Sequence, residues 1–135
     1  MLTLVLSSCG GDSTISASVL SPLSPSISVI EEIKAPTAGT GEGQTTTWAL
    51  LQSDTLDPRE AIQFTIAELR QSDWSIFASD PETSGGFSAV GVHTEGGTEF
   101  AIRVGLADQV CVANPDAPRR ICANGDGQLI ASLAP

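Results

Sequence analysis

The sequence predicts an α+β domain in which one amphipathic helix packs on an antiparallel sheet, in the approximate order β-β-α-β-β-β. One observation is a helix-start signal at Asp57-Pro58, followed by apolar residues at helical spacing. Another is a set of short segments with alternating β-branched residues on both sides of that helix. The third is the turn sequence from Glu95 to Thr98, which lies between two of those segments.

Two strands are predicted before the helix. Ser26–Lys34 carries β-branched residues at alternating positions and ends at Pro36. Residues 37–44 contain three glycines and are predicted to form a loop. Thr45–Leu51 begins with three threonines and favours a second strand, although the part from Trp48 onward could also begin a helix.

The helix has the clearest local signals in the chain. Asp57 suits the N-cap, Pro58 suits the first helical position, and Glu60 stands at the capping-box position. The apolar stripe at i, i+4 and i+7 consists of Ile62, Ile66 and Leu69. We expect the helix to end near residues 72–73.

Three strands are predicted after the helix, namely Trp74–Ala78, Phe87–Thr94 and Glu99–Val104, and the last two form a hairpin. Gln109–Val112 could add a last strand. Alternation predicts that two sets of side chains face the helix: Val90 and Val92 on the first hairpin strand, and Phe100, Ile102 and Val104 on the second.

The first nine residues resemble the lipobox of bacterial lipoproteins. An apolar start is followed by Leu6-Ser7-Ser8-Cys9 and then by a polar, glycine-rich stretch. The resemblance implies that the Cys9 sulfur receives a diacylglyceryl group and that the chain is cut just before Cys9. It also implies export and a lipid anchor at the outer face of a bacterial membrane. The predicted fold from residue 26 to residue 112 is loosely similar to small exported lipoproteins of uncharacterised function.

This resemblance divides the chain into three parts. Residues 1–8 would be a truncated signal peptide, because no Lys or Arg precedes Cys9 and the apolar run is short, so we expect a start codon upstream. Residues 9–25 are predicted to be a flexible tether and residues 26–135 a single domain. The alternative is an N-terminal strand in which Cys9 is a buried small apolar residue.

The other two cysteines, Cys111 and Cys122, are predicted to form a disulfide. They are close in sequence, and the prolines between them mark a turn that can bring them together. The alternative is a metal site. Zinc sites usually have four ligands in close pairs, whereas this chain has no C-x₂-C motif and one histidine.

The charge of the chain excludes several classes of partner. It has 16 acidic and 6 basic residues, giving a net charge of −10. Nucleic-acid binding needs clustered Lys and Arg, so we expect no nucleic-acid partner. Electrostatic docking on anionic lipid is disfavoured for the same reason, so membrane contact is expected through the lipid anchor.

Residues able to perform chemistry are few. His93 is the only histidine and lies opposite Val90 and Val92 in the alternation, which predicts a solvated side chain. Asp80 and Glu82 could hold a cation weakly but are expected to solvate a loop. We therefore predict no metal, no cofactor and no enzymatic activity.

Two functions follow from these predictions. The first is a membrane-anchored, non-enzymatic lipoprotein that binds or supports a partner protein in the cell envelope. The alternative is a carrier of an apolar small molecule held between helix and sheet. Its predicted ligand face consists of Ile62, Ile66, Leu69, Phe100 and Ile102.

Overall fold

The computed structural model describes residues 15–37, 44–123 and 128–135. These residues form an antiparallel six-stranded sheet with the order β1-β2-β6-β5-β4-β3. The strands are β1 Ser28–Pro36, β2 Thr45–Gln52, β3 Ser75–Ala78, β4 Ala89–Glu95, β5 Thr98–Leu106 and β6 Leu129–Ala134. The predicted α+β class is confirmed.

Helices cover both faces of the sheet. They are a 3₁₀ helix Ala17–Leu23 and the α-helices α1 Pro58–Gln71, α2 Ala107–Ala113 and α3 Arg119–Ala123. The 3₁₀ helix and α1 pack on one face, here called the first face, in a core that includes Leu69 and Ile102. On the second face, α2 and α3 pack in a smaller core that includes Ile121 and Ile130. No helix of the described residues is long and apolar enough to span a membrane.

The capping signals of α1 are confirmed. The Glu60 N–H donates to Asp57 Oδ1 at 2.9 Å, and the Asp57 N–H donates to Glu60 Oε1 at 3.2 Å. Pro58 opens the helix and Ser72 is its C-cap. The predicted stripe is buried on the first face, and its residues are Ile62, Ile66 and Leu69.

Replacing Asp57 by alanine is expected to lower the free energy of unfolding by about 1 kcal/mol, because α1 loses its N-cap acceptor. Asp54→Ala is the matched control, since Asp54 is an exposed acid near the same helix that makes no hydrogen bond with its side chain in the described residues. Urea unfolding of both variants measures the difference. Equal midpoints for the two variants would contradict a stabilising role for the capping box.

Between residues 15 and 25, the segment predicted to be a flexible tether instead contains a 3₁₀ helix that packs on the domain. Ala17, Leu20 and Leu23 are buried in the core of the first face, and the Ala17 N–H donates to Glu32 Oε2 at 3.1 Å. Their spacing of three places them on one side of a 3₁₀ helix, which has three residues per turn. Residues 9–14, including the predicted lipidation site Cys9, lie outside the described residues.

Glu32 connects this 3₁₀ helix to the edge strand β1. Its carboxylate also accepts a hydrogen bond from Lys34 Nζ at 2.8 Å. The hydrogen bond from Lys34 holds the pKa of the Glu32 carboxyl below its usual value, and the backbone N–H of Ala17 acts in the same direction.

The predicted last strand, Gln109–Val112, is wrong: these residues belong to α2. Four residues are too few for periodicity to distinguish a strand from a helix turn. The last strand is β6, which lies between β2 and β5. Because its residues are buried on both faces, β6 is an apolar run without clear alternation.

The hairpin of β4 and β5 is confirmed, but β4 faces the other way from the prediction. Ala89 belongs to the core of the first face, whereas Val90 packs on the second face and Val92 is 43% exposed. Gly91 allows β3 to pair closely, since a Cβ there would lie 2.1 Å from the Ser75 carbonyl oxygen. The residues of β5 predicted to face the helix do so, namely Phe100, Ile102 and Val104.

Candidate functional site

Three polar side chains form a row across the central strands of the sheet. Trp48 of β2 is directly opposite Ser132 of β6, and Ser132 is directly opposite Arg103 of β5. Directly opposed residues of antiparallel strands have Cβ atoms about 4.5–5.5 Å apart and point to the same face. Trp48 packs in the core of the second face, so the row lies on that face.

A cavity of about 400 Å³ lies over this row. All three residues of the row line it. The cavity lies near the end of the sheet that contains Pro36 and Pro135, where β1 and β6 end and β2 begins. Its further lining includes Thr46, Phe87, Ala101, Asn114, Asp116 and Ala134. Polar groups supply more of its lining surface than apolar ones.

The donors of Trp48 and Ser132 are not engaged by the protein. Neither the Trp48 indole N–H nor the Ser132 hydroxyl has a hydrogen-bond partner in the part of the chain that the structure describes. In that part, no side-chain nitrogen or oxygen is both fully buried and without a partner. Both groups therefore reach open space, and the cavity is the open space that both residues line.

Arg103 is an exposed cation without an acidic partner among residues 15–37, 44–123 and 128–135. Its guanidinium carbon lies 6.0 Å from the centre of the Phe87 ring, at the outer limit of a cation–π contact. Two other bases have acidic partners, Lys34 with Glu32 and Arg120 with Glu31, whereas Arg59, Arg70 and Arg119 have no ion pair among the described residues either. An unpaired cation at the cavity is a binding group for an anion.

The wall of the cavity beyond Arg103 is held by hydrogen bonds and a disulfide. Asn114 Nδ2 donates to the Gly85 carbonyl at 2.7 Å and to the Val110 carbonyl at 2.8 Å. The predicted Cys111–Cys122 disulfide is confirmed, with an S–S distance of 2.06 Å. It joins α2 to α3 and closes the loop that contains Asn114 and Asp116, so this wall is preorganised.

His93 lies on the first face and is not solvated as predicted. Its ring stacks on Trp74 with centroids 4.1 Å apart and meets Phe100 edge-on at 5.7 Å. Its Nε2 lies 3.3 Å from Glu95 Oε1, and the side chain is 15% exposed. In the described residues, no Ser or Cys side chain is hydrogen-bonded to His93. The ring therefore packs as a partly buried aromatic group.

The residues predicted to face an apolar ligand come together in the core of the first face. Each is at most 6% exposed, and the set is Ile62, Ile66, Leu69, Phe100 and Ile102. A neighbouring cavity of about 270 Å³ touches this set only through Ile62 and has polar lining from Arg59 and Gln63. The carrier function stays a prediction, and the packing gives it no further support.

The acidic loop after β3 is stabilised by a hydrogen bond between one of its side chains and its own backbone. Asp80 Oδ1 accepts a hydrogen bond from the Glu82 N–H at 3.0 Å, so this carboxylate stabilises a turn. Among the described residues, no group of three or more His, Cys, Asp and Glu side chains could hold a metal ion.

Comparison of the chain with protein-family models, with curated proteins and with solved structures found no match. The function is therefore inferred from the residues themselves. Sequence reasoning missed the row of Trp48, Ser132 and Arg103, because the row exists only once β6 is placed between β2 and β5. The sequence does contain a signal for two of these residues, because each is a polar residue within an apolar run: Ser132 in the last strand and Arg103 in β5.

Proposed function

We propose that this protein is a non-enzymatic binding protein of the bacterial cell envelope, anchored by lipid at Cys9 to the outer face of a membrane. The observation that carries the proposal is the lipobox-like sequence Leu6-Ser7-Ser8-Cys9. The disulfide between Cys111 and Cys122 supports it, because disulfides persist in the oxidising compartments that exported proteins enter.

The packing of the 3₁₀ helix makes the proposed anchor short. Only residues 10–14 separate Cys9 from Ile15, which is buried on the first face, and six residue steps span at most about 20 Å. The Ile15 carbonyl accepts a hydrogen bond from the Thr47 hydroxyl, while the next residue, Trp48, lines the cavity on the second face. An anchor at Cys9 therefore joins the domain on the face opposite the cavity.

Two observations favour binding over catalysis. The cavity offers hydrogen-bond donors from Trp48, Ser132 and Arg103 but contains no histidine. The single histidine of the chain, His93, packs between aromatic rings on the other face. Among the described residues, the Ser132 hydroxyl is not hydrogen-bonded to Asp116 or to another base, so these donors suit recognition of a ligand rather than nucleophilic catalysis.

The anchor is tested by replacing Cys9 with alanine in the protein expressed with its native start in a bacterial host. The unsubstituted protein is expected in the membrane fraction, with an intact mass that begins at Cys9 and includes acyl chains. Cys9→Ala should lose the acyl mass and leave that fraction, because no lipid can attach.

The Cys111→Ala/Cys122→Ala double variant is the matched control for this experiment, since it loses two cysteines but keeps Cys9. It should keep the acyl mass of the unsubstituted protein. A full-length, unmodified chain recovered without membrane would refute the lipid anchor.

A further inference from the structure

We propose that the cavity on the second face binds a small molecule through a carboxylate group, with Arg103, Ser132 and Trp48 as its hydrogen-bond donors. The inference deepens the binding part of the proposed function and rests on it. Each of the three donors lines the same cavity, and none has an acceptor in the described residues. A ligand that satisfies all three must bring acceptor oxygens to this row.

The order of the three donors suits the two oxygens of a carboxylate. Ser132 lies on β6, between Trp48 on β2 and Arg103 on β5, and neighbouring strands are about 4.7–4.9 Å apart. Guanidinium groups bind carboxylates with two parallel hydrogen bonds. The flanking hydroxyl and indole N–H can donate to the remaining lone pairs, since each carboxylate oxygen has two. The three donors are therefore complementary to a carboxylate in hydrogen bonding, and Arg103 supplies the positive charge.

Charge favours a carboxylate over a phosphate. Arg103 is the only base that lines the cavity among the described residues, and Asp116 lines it as well. The chain carries a net charge of −10, so the surrounding potential opposes a dianion more strongly than a monoanion. The site holds one cation and one acid, so a bound monoanion leaves less uncompensated negative charge there than a dianion does.

The rest of the cavity accommodates more than the carboxylate. Its volume of about 400 Å³ lies in the usual range for small-molecule sites. The side chains of Phe87, Ala101 and Ala134 provide apolar lining. A second cavity of about 350 Å³ shares Phe87, Arg103 and Asn114 with the first and is also lined by Ser84.

The experiment is a titration of the full chain with sodium acetate, followed by NMR at constant ionic strength. The two tryptophans give separate indole N–H signals. Trp48 lies in the core of the second face and Trp74 in the core of the first face. We expect acetate to move the Trp48 signal saturably and to leave the Trp74 signal unchanged. Acetamide, which is neutral and has nearly the same shape, should cause no saturable shift.

Arg103→Gln is expected to weaken acetate binding about 10-fold or more, because it removes a charge-assisted, bidentate contact. Arg103→Lys keeps the charge but lacks the planar fork, so it should bind with intermediate strength. Arg119→Gln is the matched control, since Arg119 is exposed on α3 and has no ion pair among the described residues. It should bind acetate as the unsubstituted protein does.

The proposal is overturned if acetate leaves the Trp48 signal unmoved, if acetamide or chloride moves it equally, or if Arg103→Gln and Arg119→Gln bind acetate alike. Spectra that are otherwise unchanged establish that each variant folds. The titration needs no lipid, so its failure leaves the proposed anchor at Cys9 unaffected. Equally, an unmodified Cys9 in the host would leave the carboxylate site unaffected.

Discussion

Replacing Phe100 by alanine is expected to lower the free energy of unfolding by about 3–5 kcal/mol, the range for truncation of a buried phenylalanine. Phe100 is 1% exposed, and its ring lies edge-on to Trp74 at 6.1 Å and to His93 at 5.7 Å. Truncation removes these contacts and leaves a cavity between β5 and the helix face. Since small domains have about 5–15 kcal/mol of stability, this loss would be a large fraction of the total.

Urea unfolding monitored by tryptophan fluorescence measures this loss, since Trp74 lies beside the substituted ring. Phe77→Ala is the matched control, because it makes the same chemical change at a residue that is 59% exposed. Phe77 contacts Arg70, whose guanidinium lies 5.5 Å from its ring, so the control should lose at most about 1 kcal/mol. A similar loss in both variants would contradict the assignment of Phe100 to a close-packed core.

The parts of the fold predicted correctly from sequence are those specified by neighbouring residues. The start of α1 depends on Asp57, Pro58 and Glu60, which interact within one turn. The hairpin turn depends on Gly96 and Gly97, whose φ angles of 59° and 85° suit glycine in a two-residue hairpin turn. Both signals act over a few positions, so no knowledge of the tertiary structure is needed to read them.

The errors concern segments whose structure is decided by distant partners. The 3₁₀ helix at residues 17–23 is rich in serine and resembles a linker, yet it is held by the first core and by Glu32 of β1. In β4, Gly91 and Ala89 lie on the first face, where β3 and the core of that face leave little room for a side chain. The larger residues Val90 and Val92 therefore lie on the second face. Side-chain size alone therefore predicts the wrong face.

The candidate site also depends on residues that are distant in sequence. Trp48 could be placed on a strand from sequence, and Arg103 on the face of β5 opposite Phe100, Ile102 and Val104. Their proximity requires β6 between them in the observed register, with Ser132 opposite both. That strand was not predicted, so the row of donors could not be found before the structure.

Removing the disulfide is expected to lower the free energy of unfolding by about 2–3 kcal/mol, from the chain entropy that a short closed loop removes from the unfolded state. Cys111 and Cys122 are separated by 11 positions and lie beside the core of the second face. Urea midpoints of the Cys111→Ala/Cys122→Ala variant and of the unsubstituted protein measure the effect. Cys9→Ala is the control for the loss of a cysteine as such, and it should leave the midpoint unchanged.

The Cys111→Ala/Cys122→Ala variant also tests whether the disulfide-bonded loop or the sheet supplies the contacts that bind acetate. The disulfide holds the wall that carries Asn114 and Asp116, whereas the three donors of the row lie on central strands of the sheet. Acetate affinity should therefore change by less than about 3-fold in the folded variant, well below the loss expected for Arg103→Gln. If removal of the disulfide instead abolished the shift of the Trp48 signal, the loop and not the sheet would supply the decisive contacts. The donor row would then not be the binding element.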